Sequence, residues 1–106
     1  MRDPHPQRLA QIAEGFTSIA SCVEHRKPDA ALMKALEETR TLCAWVAPES
    51  SGTIRTLLTN VQTALSTWQQ VWPRMGSQRE FRQAVAREAN LWSRRLQALV
   101  KGCSRD

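Results

Sequence analysis

Histidine is scarce in this chain. His5 and His25 are the only two, one beside prolines near the start and the other in the charged stretch Glu24-His25-Arg26-Lys27. A di-iron site in a helical bundle wants Glu-x-x-His pairs on facing helices, and no such pair occurs. Zinc wants four ligands, or three and a water. Cys22 and His25 have the i, i+3 spacing of one helix face, but no second pair matches them. No metal site and no cofactor is therefore expected. Cysteine is thin as well: Cys22, Cys43 and Cys103 are an odd number and form no C-x-x-C. The expectation is reduced thiols, two of them buried as small hydrophobes. Cys103 lies where a terminus often frays, open to adventitious intermolecular disulfides.

Long apolar runs are missing too. A membrane-spanning helix needs about 20 such residues, and nothing here approaches that length. The N-terminal MRDPHPQRLAQ lacks the apolar core of a secretory signal, so the expected location is cytoplasmic. There is no glycine-rich phosphate loop. Glu37 and Glu38 are adjacent, so on a helix they diverge by about 100° and cannot share a site. Neither histidine falls within an apolar stripe. These gaps leave no catalytic constellation legible along the chain, and a non-enzymatic protein with no small-molecule substrate is expected.

What is present is helical patterning. In Thr53–Met75, Ile54, Val61, Trp68 and Met75 recur every seven residues. Leu58, Leu65 and Trp72 form a second row, and Leu57, Ala64 and Val71 a third. At about 100° per residue the rows merge into one apolar stripe. Leu9, Ile12, Ala13, Phe16, Ile19, Ala20 and Val23 mark a buried face on a first helix. Gly15 in that helix would permit close approach of a neighbour. Leu32, Ala35, Leu36, Thr39, Leu42, Cys43 and Val46 mark a second. Phe81, Val85, Ala89, Trp92, Leu96 and Leu99 mark the last, opened by the S-x-x-E capping box Ser77-Gln78-Arg79-Glu80 and stopped by Gly102.

Prolines punctuate the chain, and Pro73 should stop or kink the third helix at Trp72. The predicted helices cover about 6–24, 28–46, 51–72 and 77–101, within one domain spanning 1–106. Short connections imply an all-α, antiparallel up-down-up-down four-helix bundle. The alternative is a hairpin of the third and fourth helices that completes its core by dimerising. Trp68, Trp72 and Trp92 should supply much of the shared core.

Charge is lopsided. Residues 1–50 carry six basic and seven acidic groups, and residues 51–106 nine basic and three acidic. Arg87, Arg94 and Lys101 recur every seven residues opposite the apolar stripe, with Arg95 beside them. This face is either solvated, as on most bundle helices, or binds nucleic acid or another polyanion. No aromatic residue interleaves with it.

Two features suit a protein partner. Trp45 points about 100° off its own apolar face. It either packs at the bundle end over the 47–52 loop or anchors a partner, since Trp dominates binding hot spots. Thr56, Thr59, Asn60, Thr63 and Thr67 give the third helix an uncharged polar face, cheaper to cover than a Lys/Glu face. In layout the chain resembles the small helical secretion chaperones of the flagellar type. The likeness of patterning rests on the opening Pro28-Asp29-x-x-Leu32-x-x-x-Leu36 and the Leu57-Leu58 helix after it. It implies a chaperone-like bundle. The expected function is protein interaction as an adaptor or chaperone-like subunit, with a partner helix or a second copy of the chain.

Overall fold

Four α-helices form on the apolar stripes. The computed structural model describes residues 6–50 and 52–104, the last two by backbone alone. Helix α1 spans Pro6–Glu24, α2 Asp29–Val46, α3 Gly52–Met75 and α4 Arg79–Ser104, with a short 3-10 turn over Ala47–Glu49. No strand occurs among the described residues. His5 and the Cys103 side chain lie outside them.

The helices pack as a four-helix bundle, with α1 against both α2 and α4, and α2 against α3. Its extents are 44 × 21 × 19 Å. The apolar stripe of α1 is wholly buried, as are Leu58, Val61, Leu65, Trp68 and Trp72 on α3. Phe16 and Trp68 meet edge to face at 6.3 Å, a favourable geometry for two aromatic rings. Cys22 and Cys43 are free and buried, and burial pushes the Cys43 thiol up to about 12.

Helices α3 and α4 meet little beyond their connecting turn. This loosens one seam and changes the fate of two apolar rows. Leu57, Ala64 and Val71 on α3 are only half-buried, as are Phe81, Trp92 and Leu99 on α4. Trp92 therefore contributes less to the core than its spacing predicts, and Arg95 lies over its ring at 5.2 Å. The inward face of α4 is rotated toward α1 instead, through Ala86, Ala89 and Ser93. Ser93 and Thr17 of α1 share a hydrogen bond of 3.0 Å.

Three helix ends differ from the sequence expectation. α3 runs through Pro73 to Met75, because the proline falls in the last turn on the solvent side. There it removes a single bond, and water can hydrate the freed carbonyl. The Gly76 N–H then closes on the Trp72 carbonyl at 2.7 Å. α4 begins at Arg79, with Gln78 accepting from the Arg82 N–H. Ser77 and Glu80 make no capping-box bond among the described residues. Gly102 does not stop α4 because its backbone stays out of the left-handed region that a glycine cap needs.

Gly15 makes the predicted close approach: a Cβ there would collide with the Thr39 side chain of α2. Gly76 plays a similar part, since a Cβ would stand 2.7 Å from the Trp72 indole.

Candidate functional site

The outer face of α3 is built from uncharged polar residues, four of them β-branched threonines. Thr56, Thr59, Asn60, Thr63 and Thr67 are all exposed. The four threonine hydroxyls donate to backbone carbonyls one turn back: Thr56 to Gly52 at 2.9 Å, Thr59 to Arg55 at 2.8 Å, Thr63 to Thr59 at 3.2 Å and Thr67 to Thr63 at 2.9 Å. A threonine hydroxyl in a helix can reach these carbonyls without leaving its preferred rotamers. The donors are thereby satisfied internally, which leaves γ-methyl groups and acceptor lone pairs toward solvent. No charge interrupts the helix between Arg55 and Arg74. A shallow depression of about 400 Å³ runs along this face, lined by Thr59, Gln62, Thr63, Ser66, Thr67 and Gln70.

Trp45 lies in the last turn of α2 and is 69% exposed. The sequence leaves open whether it caps the following loop, and it does not. That loop closes on itself. Ser50, fully buried, donates its hydroxyl to the Val46 carbonyl at 2.7 Å. Arg55 reaches back to the Ala47 and Pro48 carbonyls at 3.3 and 3.0 Å. Ala47 is also buried, and the indole stands in solvent beside these described loop residues. Trp45 and the threonine face are not one surface. Glu37, which accepts from Gln69 of α3 at 2.8 Å, marks the side of α2 that meets α3. Trp45 is about 80° further round at 100° per residue.

That Gln69 bond, with the Arg40 side chain next in influence, holds the Glu37 carboxyl below the usual carboxylate range. Arg40 reaches the same carboxylate at 2.9 Å.

The basic residues of α4 separate into two groups. Arg87, Arg94 and Lys101 are exposed on one face. Arg95 is 100° from Arg94 and stacks over Trp92, so it does not extend their row. Arg87 belongs also to a second feature that the sequence reading did not assemble. At the end of the bundle where α1 stops and α2 and α4 start, a cleft of about 740 Å³ opens. Its basic lining is Arg26, Lys27, Arg79, Arg82 and Arg87, against Glu24 and Asp29. The signal was legible: an up-down bundle brings both the 24–29 and the 76–82 connections to one end. Read one helix at a time, Arg26 and Lys27 pass for partners of the α1 dipole alone.

Among the described residues no group of three or more His, Cys, Asp or Glu could hold a metal ion. No helix among them is long and apolar enough to cross a membrane. Comparison with protein families, curated proteins and solved structures finds no match.

Proposed function

We propose that this chain is a non-enzymatic protein-interaction module, an adaptor or chaperone-like subunit, that docks a partner helix along the outer face of α3. The partner is a helix of another protein or the same face of a second copy. One observation carries the reading: the exposed threonine hydroxyls are already bonded to their own helix. Covering them strips water from methyl groups and leaves no threonine donor unsatisfied, whereas covering a charged face desolvates ions. Trp45 supplies a separate anchor on α2. A cytoplasmic setting accords with the free thiols of Cys22 and Cys43.

A polyanion held along α4 has less in its favour. Arg95 is off the row of Arg87, Arg94 and Lys101, and no aromatic side chain shares that row for bases to stack on.

Thr63→Lys tests the docking face. Position 63 is exposed and lysine is the better helix former, so the fold should be kept. Light scattering over a concentration series reads self-association, and affinity capture compared with wild type reads a foreign partner. The expected result is loss of whichever interaction wild type shows, with the melting temperature unchanged. Undiminished association in Thr63→Lys would overturn the α3 face. Trp45→Ala should weaken partner recovery roughly thirtyfold, as removal of a hot-spot indole does.

A further inference from the structure

The cleft between the α1–α2 and α3–α4 connections has properties that the docking face does not use. We infer that it binds a small phosphorylated anion, with Arg26, Lys27, Arg79 and Arg87 as its cationic contacts. Five basic side chains line it against two acidic ones, a formal excess of three. The two carboxylates are occupied by neutral donors: Glu24 accepts from Asn90 at 3.3 Å and Asp29 from the Trp72 indole at 3.2 Å. The ion pairs among the described residues are Lys34–Glu38 and Arg40–Glu37, both within α2. The side chains of Arg26, Lys27, Arg79 and Arg87 have no hydrogen-bond or ion-pair partner there. They face solvent with their charge unspent.

Arg82 is different. It donates to the Gly76 carbonyl at 2.9 Å and the Val23 carbonyl at 3.1 Å, and its guanidinium lies over Trp72 at 5.2 Å. It builds the floor of the cleft and holds the two connections in place.

The backbone at Arg26 points the same way. Helix α1 ends with the Lys27 N–H on the Cys22 carbonyl at 3.0 Å and the Arg26 N–H on the Val23 carbonyl at 3.4 Å. This pattern puts Arg26 at the residue after the cap, with φ at 50°. Glycine is the residue that such a backbone favours. An arginine held there against its backbone preference, at the rim of a basic cleft, is a strained residue of the kind found at ligand sites.

Size and lining select the ligand class. A volume of about 740 Å³ falls within the roughly 300–1,000 Å³ of small-molecule sites. A nucleic-acid strand wants a basic track with aromatic faces. Here the only nearby indole, Trp72, is buried and overlain by Arg82. Arginine forks match phosphate oxygens, and one phosphate group carries about two charges.

The test is calorimetric titration of the full chain with inorganic pyrophosphate. Saturable one-to-one binding is expected, weakened about tenfold by Arg79→Gln or Arg87→Gln and unchanged by Arg94→Gln, which lies outside the cleft. Arg26→Gly should raise the melting temperature by about 4 °C or more while weakening pyrophosphate by a similar tenfold. A purely structural Arg26 could not give both. Equal binding of citrate would overturn the phosphate assignment. Arg94→Gln weakening as much as Arg79→Gln, or Arg26→Gly binding as wild type, would overturn the site. Co-sedimentation with phosphatidic acid vesicles distinguishes the ligand's source. Vesicle binding displaced by pyrophosphate assigns a lipid headgroup, and its absence beside positive calorimetry assigns a free phosphate ester.

Discussion

Thr39 is a polar side chain in an oily place. It is 4% exposed, and it stays there because its hydroxyl donates to the Ala35 carbonyl at 2.8 Å. The space it fills is the space that Gly15 leaves. Gly15→Ala drives a methyl group into it and should destabilise by about 1–3 kcal/mol, the usual penalty for overpacking. That exceeds the ~1 kcal/mol that alanine offers a helix over glycine. In a Thr39→Ala background the same substitution should be far milder, and a double-mutant cycle by urea denaturation measures the difference. Equal penalties in both backgrounds would mean that the two residues do not share the space.

Between elements, the contact of α2 with α3 carries a titrating group. Glu37 accepts from Gln69 across the interface and from Arg40 within α2, and its carboxyl is held below its ordinary 4.5. The folded state thus binds this proton more weakly than the unfolded chain. Its contribution to stability is present above about pH 4.5 and is lost as pH falls through the lowered folded value. Carbon-detected NMR titration of Glu37 should give a midpoint under 4.5, and Gln69→Ala should move it up. No movement would leave Arg40 as the sole cause.

The same scale shows what a single sequence can convey. The stripe on α1 was legible because α2 and α4 close on it and Trp68 of α3 meets it, and every apolar residue in it is buried. The third row of α3 and the Phe81–Trp92–Leu99 row of α4 were not, because spacing reports which side of a helix is oily and not how tightly a neighbour closes on it. Ser93 was invisible for the converse reason: a serine reads as surface unless its partner, Thr17, is known. The threonine face was legible as uncharged. That its hydroxyls turn back onto the helix was not, since water competes for the same donors. Trp45 was undecided because spacing puts it off its own apolar face without saying whether the 47–52 connection folds under it; its exposure decides.

Across the whole molecule, Arg82 joins parts of the chain that are distant in sequence. Val23 closes α1 and Gly76 belongs to the α3–α4 turn, and both carbonyls accept from the one guanidinium. Arg82→Ala should lower stability by about 2–3 kcal/mol, since hydrogen bonds from a charged donor and a ring contact go together. Hydrogen exchange should quicken at residues 22–27 and 76–82 and stay as in wild type around Ser50. Arg82→Lys should recover only part, because an ammonium cannot span two carbonyls as a planar fork does. A uniform rise in exchange along all four helices would show that Arg82 braces no particular end.

The bundle is more than twice as long as it is wide, and its two conspicuous surface features sit at opposite poles of α2. Pro28 at the cleft and Trp45 are separated by about 26 Å of helix at 1.5 Å per residue. At physiological ionic strength the Debye length is about 8 Å, so the positive potential of one pole fades well before it reaches the other. Raising ionic strength should therefore silence the basic pole and leave any contact made by the indole unchanged. Two ligands could be carried on one rod, each released by its own solvent condition.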